Sequence, residues 1–170
     1  AVASQSLFNM TVAGDNAGGN QGLLMPKLKY RFRANFINFG GTTATAELTK
    51  QVVDFTRPQV TFENIDLPIY NSTIRLLGKH SWADITCNLR DDAGGNVSKL
   101  VGEQVQKQYD FLEQASAPSG IDYKFQLLYE ILDGGNGATT VNVLEAWELD
   151  GCFLSTVDWG DMAYSSNDPV

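Results

Sequence analysis

A chain of 170 residues with 43% apolar and 19% charged side chains is long enough for one ordinary domain with a buried core, and too apolar for a disordered segment. No apolar run approaches the ~20 residues of a membrane-spanning helix, and Ala1 to Gly14 has neither the basic start nor the long apolar centre of a signal peptide. The net charge of −8 is uneven: residues 1–120 carry eleven acids and eleven bases, whereas 121–170 carry nine acids against Lys124 alone. That acidic third reads either as a plain solvated surface or as a wall that repels polyanions, and both disfavour direct DNA binding.

Residues 1–24 read as a flexible N-terminal extension, because Ala13 to Gly22 is rich in Gly and Asn and has no apolar period. It lacks the ligand spacing and closing Glu of a calcium loop. Lys27 to Phe36 alternates, with Leu28, Tyr30 and Phe32 on one face and Lys27, Lys29, Arg31 and Arg33 on the other, which predicts a strand with a basic outer face. Such a face either protects an edge from stray pairing or meets an acidic partner. Gly40-Gly41 turns the chain, and Thr42 to Val53 returns as a strand or short connection. Alternating Val60 and Phe62 then lead into an arm over residues 67–82, in which Pro68, Ile69 and Tyr70 precede the apolar run Ile74 to Leu77.

The stretch after the arm alternates cleanly. Ile85, Cys87 and Leu89 share one face and Asp84, Thr86, Asn88 and Arg90 the other, the period of a half-buried strand. Asp91 to Gly95 ends it as a turn. One helix follows over 97–114, carried by Val97, Leu100, Val101, Val105, Tyr109 and Leu112, with Asn96 placed to cap it and Ala117 to Gly120 to stop it. Tyr123 to Leu132 is a further strand, Asp133 to Gly137 a hairpin turn, and Val141 to Leu149 the returning strand. Strands, helix, strands in that order make the fold α+β and mostly β.

Signals for catalysis are thin, and the expectation is a protein that is not an enzyme and carries no cofactor or metal. His80, the only histidine, has Ser81 and Asp84 near it in sequence, but neighbours on an extended strand point to opposite faces; a hydrogen-bonded turn histidine is the plainer reading. Asp91-Asp92 before Gly94-Gly95 reads as a solvated turn rather than an acid/base pair. Cys87 and Cys152 lack ligand spacing and read as a buried, reduced pair. Core filling is the expected role of Trp82, Trp147 and Trp159, with a sugar-binding platform as the alternative.

The order of these parts resembles the tail tube proteins of contractile-tailed bacteriophages. The matching stretches are Met25-Pro26 to Phe36, then Leu67-Pro68-Ile69-Tyr70 through Gly78 and Trp82 to Asp91, and the helix after Asn96. Trp147 to Leu154, Asp158 and Ser165 to Asp168 complete the set, so that the likeness covers residues 25–170. The chain departs from the family at both ends: residues 1–24 exceed the usual lead-in, and the family's last strand would begin where Val170 stands.

The resemblance implies a single domain over 25–170, an antiparallel β-sandwich or barrel with one flanking helix. Such proteins form hexameric rings that stack into a hollow tube in the virion tail. DNA passes through the lumen without specific binding, and no membrane is involved. Partners would be further copies of the chain, the tail sheath protein, the baseplate and the tail terminator. On that reading Pro68, Ile69, Tyr70, Ile74, Leu76 and Leu77 form the contact between rings. Glu145, Glu148, Asp150, Asp158 and Asp161 line the lumen, and Lys27, Lys29, Arg31 and Arg33 face the sheath or an adjacent subunit. The inner tube of a bacterial contractile injection or secretion system is the nearest alternative, and a single-chain β-sandwich carbohydrate-binding module is an alternative of another class.

Overall fold

The computed structural model describes residues 26–41, 45–134 and 141–170. Among them lie nine strands and three helices: β1 (Phe32–Ile37), α1 (Ala46–Gln51), β2 (Val52–Phe55), β3 (Val60–Ile69), β4 (Ser72–Trp82), β5 (Cys87–Leu89), α2 (Asn96–Gln108), β6 (Tyr109–Asp110), β7 (Ala115–Ser116), α3 (Gly120–Tyr123), β8 (Phe125–Leu132) and β9 (Val143–Cys152). The strands form one three-stranded sheet of order β1-β8-β9 and the two-stranded ladders β2-β5, β3-β4 and β6-β7. All three ladders are antiparallel. The chain is therefore α+β and mostly β, as its pattern predicts. The described residues divide into two compact units, one of 26–32 with 130–134 and 141–145, the other of 33–41, 45–129 and 146–170.

In the first unit the chain closes a turn at Arg31, whose N–H donates to the Leu28 carbonyl (3.2 Å), and the Leu132 N–H donates to the Arg31 carbonyl (2.9 Å). The predicted strand over Lys27 to Phe36 is thus corrected: pairing starts only at Phe32, because the turn takes the preceding residues and Tyr30 stays 71% exposed. The expected β8–β9 turn falls largely on residues outside the described ones. Its neck is closed by Asp133, whose N–H donates to the Asn142 carbonyl (3.0 Å) and whose carboxylate accepts the Asn142 N–H (3.2 Å) and side-chain amide (3.0 Å).

The second unit holds the core. Ala34, Phe36, Phe39, Leu48, Val97, Leu100, Phe125 and Leu127 are buried together, with Val52, Phe55, Cys87, Leu89, Val101 and Leu149 among the partly buried side chains packed on them. The rings of Phe36, Phe39 and Phe125 meet edge-on or tilted at centroid distances of 4.8 to 6.4 Å, a geometry that adds to plain area burial. Helix α1 replaces the strand or connection expected within Thr42 to Val53. Ala46, Leu48, Lys50 and Gln51 are good helix formers, and Leu48 is fully buried by the turn they make. Thus the single expected helix becomes three.

Helix α2 buries Val97, Leu100 and Gln104. It stops at Gln108, six residues short of the predicted end, because Tyr109 turns extended (φ −151°, ψ 125°). The Asp110 carboxylate then accepts the N–H groups of Leu112 (2.9 Å) and Glu113 (3.4 Å), a local turn that competes with helix and makes the β6–β7 hairpin. Leu112, expected in the helix's apolar stripe, is 93% exposed.

The start of α2 is held from the preceding turn. Gly95 sits before the helix in the left-handed region (φ 66°), so Asn96 is its first residue rather than its cap. The carboxylates of Asp91 and Asp92 do the capping: Asp92 accepts the Asn96 N–H (2.8 Å) and side-chain amide (2.7 Å), and Asp91 accepts the Ser98 hydroxyl and N–H.

The Ser98 hydroxyl, followed by the nearby backbone N–H groups, holds the Asp91 carboxyl below its ordinary value of 3.8. A depressed folded-state pKa gives stability that is complete above the ordinary value and lost as pH falls through the folded one. Asp91→Asn is expected to unfold more easily than the natural chain at neutral pH, and the gap should close in acid. Urea unfolding at a series of pH values reads this directly; a gap that stays constant into acid assigns the effect to something other than the charge.

Candidate functional site

The arm expected over 67–82 is a longer ribbon, β3 paired with β4, that starts at Val60. Its ladder continues downward through hydrogen bonds from Ala83 N–H to the Gln59 carbonyl and from Thr56 N–H to the Thr86 carbonyl (both 2.9 Å) into β2-β5. There Val52, Phe55, Cys87 and Leu89 anchor it on the core. The alternation read over Asp84 to Arg90 is present in burial, with Ile85, Cys87 and Leu89 half-buried between exposed neighbours. Only Cys87–Leu89 is a paired strand, however.

Above this base nothing is buried. Every residue of β3 is exposed, and in β4 only Gly78 is half-buried. Yet the ribbon is rich in β-branched and apolar side chains: Val60, Phe62, Ile65, Leu67, Ile69, Ile74, Leu76 and Trp82 are each 37 to 55% exposed. A two-stranded ribbon that packs on no other described element is marginal in water, so this one draws its stability from its anchored base. Hydrogen exchange should find the amides of Ile65 and Leu76 exchanging far faster than those of Leu127 and Tyr129 in β8. Equal protection in the dispersed chain would mean that something covers the ribbon.

Pairing runs Val60 with Trp82, Thr61 with Ser81 and Phe62 with His80, then shifts, and continues from Asn64 with Leu77 to Ile69 with Ser72. The shift leaves Gly78 and Lys79 together opposite Glu63, a bulge with its extra residue on β4. Gly78 is required there: a Cβ would stand 2.7 Å from the Glu63 carbonyl oxygen. At the tip, Tyr70 and Asn71 form the turn. Tyr70 is fully exposed and in the left-handed region (φ 49°), a conformation that costs a non-glycine residue ~1 kcal/mol.

The six residues expected to make the contact between rings therefore sort by position. Ile69, Ile74 and Leu76 share one face of the ribbon, Pro68 and Leu77 the other, and Tyr70 caps the turn. Sequence reasoning began the arm at Leu67 and so left Val60, Phe62 and Ile65 outside it. The two alternating runs Val60-Phe62 and Ile65-Leu67-Ile69 were the available signal.

The charged candidates lie elsewhere. Lys27 pairs with Glu145 (2.6 Å), Lys29 lies in the turn before Arg31, Arg31 stands over the Tyr30 ring (5.4 Å), and Arg33 is exposed on β1, so they do not form one strand face. On β9, Glu148 and Asp150 alternate with the half-buried Glu145, Trp147 and Leu149. Asp150 accepts the Gln126 side-chain amide (2.5 Å). In the exposed tail, Asp158 accepts the Gly160 N–H (2.9 Å) and Asp161 is exposed.

Three further expectations are revised. His80 is a strand residue between Phe62 (6.3 Å) and Trp82 (6.5 Å), not a turn histidine. Trp82 and Trp159 are 55% and 57% exposed rather than core filling, since Trp82 stands on a ribbon that buries none of its side chains. Cys87 and Cys152 are free thiols but only partly buried. Burial, followed by the Asp54 carboxylate, pushes the Cys87 thiol up to about 12, and burial, followed by Asp150, raises Cys152. Neither is a ready nucleophile. Among the described residues no cluster of His, Cys, Asp or Glu is arranged to hold a metal, and no helix is long and apolar enough to cross a membrane.

The exposed apolar side chains of the ribbon depart from an ordinary solvated surface, and exposed apolar patches commonly mark interaction sites. No protein-family model and no curated protein matches the chain.

Proposed function

We propose that the chain is a structural subunit that assembles with copies of itself into stacked rings, hexameric in the family it resembles, forming the hollow inner tail tube of a contractile-tailed bacteriophage. The observation that carries this reading is the β3–β4 ribbon, on which Val60, Phe62, Ile65, Leu67, Ile69, Ile74, Leu76 and Trp82 are 37 to 55% exposed and Leu77 is 72% exposed. The order of parts in the sequence gives the tube its place. The outer strands β1 and β9 of the three-stranded sheet provide edges at which neighbouring copies extend the sheet into a common barrel. The sheath, baseplate and tail terminator are the further partners on this reading. An inner tube of a contractile injection system uses the same contacts with a protein cargo, and a capsid or an effector cassette among neighbouring genes separates the two.

Part of the acidic excess then faces the passage, where it keeps DNA from sticking. Reversing Glu148, Asp150, Asp158 and Asp161 to lysine is expected to leave assembly intact and to slow DNA ejection, read as genome release from purified particles. Unchanged release would remove these acids from the lumen.

Electron microscopy of the purified protein tests the main reading: hollow stacked rings support it. A dispersed chain at high concentration, with no rings even on a baseplate template, overturns it. The exposure of Trp82 and Trp159 favours one other reading, a carbohydrate-binding module. Saturable glycan binding by the single chain is its signature.

A further inference from the structure

The apolar side chains of the ribbon are not on one face. Paired residues in a ladder point the same way and successive residues point opposite ways. Near the base, Val60, Phe62, His80 and Trp82 therefore share one face, which the ring contacts of His80 with Phe62 and Trp82 bear out. Beyond the bulge that same face carries Asn64 with Leu77, Asp66 with Arg75 and Pro68 with Thr73; Asp66 and Arg75 form an ion pair (3.5 Å), and the exposed Leu77 borders the proximal patch. The apolar residues Ile65, Leu67, Ile69, Ile74 and Leu76 lie on the opposite face.

Two separate features produce this crossover. On β3 the apolar alternation itself changes phase, from Val60 and Phe62 to Ile65, Leu67 and Ile69. On β4 the numbering does not change phase: Ile74, Leu76, His80 and Trp82 are all even, and in a regular strand they would share a face. The extra residue at Gly78-Lys79 puts the first two on one side and the last two on the other, in step with β3. A phase change in one strand matched by a bulge in its partner keeps each patch two strands wide.

We infer that the ribbon is a two-sided connector that touches two different copies of the chain at once, one on the proximal patch (Val60, Phe62, His80, Trp82) and one on the distal patch (Ile65, Leu67, Ile69, Ile74, Leu76). This rests on the self-assembly reading and deepens it. Two properties favour a second copy of the chain as the occupant of each patch. The ribbon carries two acids, Glu63 and Asp66, against two bases, Arg75 and Lys79, so in a chain of net charge −8 it is a neutral place for like copies to approach. Its apolar side chains together expose on the order of 700 Å², divided between the two patches, so each patch alone falls short of the ~800 Å² per partner of a stable pairwise contact, as suits small contacts repeated among many like copies. Patches set on opposite faces and at different heights of the ribbon do not both meet one flat surface, so the ribbon lies between two neighbours.

The test uses full-length chain carrying a photo-activated cross-linking residue at both position 62 and position 67, diluted into an excess of unlabelled chain and assembled before illumination. Three-chain adducts on a denaturing gel are the expected result, with each singly labelled chain giving two-chain adducts only. Two-chain adducts alone from the doubly labelled chain overturn the two-sided contact, as does assembly with no adduct at either position; in both cases self-assembly itself stands. A chain that neither assembles nor cross-links fails the self-assembly reading, and this inference falls with it. Both labelled positions are at least 44% exposed and outside the core, so labelling does not threaten folding.

Discussion

A chain in which Ile65 to Leu76 is replaced by Asn-Gly is expected to fold with its core unchanged and to form no tubes. Folding survives because none of the removed residues belongs to the core, whose members come from β1, α1, α2 and β8 with the intervening Phe39. The new turn joins Asn64 to Leu77, which are already paired, and Asn-Gly suits a two-residue hairpin turn. Cutting only β4, from Asn71 to Leu77, would be a poorer experiment: it leaves the second half of β3 as an unpaired apolar edge, which invites aggregation. The symmetric replacement removes five exposed apolar side chains and the Tyr70 turn together. Its melting temperature should stay within a few degrees of the natural chain, while sedimentation and electron microscopy find no long assemblies. Tubes of normal length from this variant would sink the assembly role of the ribbon. Loss of the cooperative melt would show instead that the ribbon contributes to the fold.

How much of this was legible in the sequence depends on what decides each feature. Burial with period two is a property of the residues themselves, and the alternation of Ile85, Cys87 and Leu89 could be read directly. The limits of pairing are set by the partner strand, so the sequence placed a strand over Asp84 to Arg90 where only Cys87–Leu89 is paired. The end of α2 was missed because Val105, Tyr109 and Leu112 keep helical spacing, while Asp110 offers the backbone a competing turn that outweighs it. Short α1 was hidden by the β-branched Thr42, Thr43, Val52 and Val53 on either side of its helix formers. The ribbon was half seen. Its apolar content was plain, but the two faces follow from a register shift that only the pairing reveals.

The second large effect is expected inside the core, at Gln104. Its side chain is fully buried, and its amide is completely used: Oε1 accepts the Gly40 N–H (3.0 Å), and Nε2 donates to the Tyr123 carbonyl (2.6 Å) and to Gln108 Oε1 (3.4 Å). Gln108 in turn donates to the Leu154 carbonyl (2.9 Å) and accepts the Leu154 N–H (2.7 Å). Two glutamines one helical turn apart thus tie α2 to the loop after β1, to α3 and to the segment after β9. Gln104→Leu keeps the volume but leaves the buried Gly40 N–H without its acceptor, at about 1–3 kcal/mol, and the part-buried Tyr123 carbonyl without its donor, at up to a similar amount. The sum is a large part of the 5–15 kcal/mol that typically holds a domain folded. Gln104→Glu separates this cause from packing. Its carboxylate would still accept from Gly40 but would face the Tyr123 carbonyl acceptor to acceptor, so the folded state favours the protonated acid and raises its pKa. That variant should be closest to the natural chain below the ordinary glutamate pKa of ~4.3 and should lose stability as pH rises above it. Gln104→Leu should show the same deficit at every pH. Denaturant unfolding of both variants between pH 4 and 8 decides the matter: parallel curves would mean that Gln104 matters for its shape, and diverging curves that it matters for its hydrogen bonds.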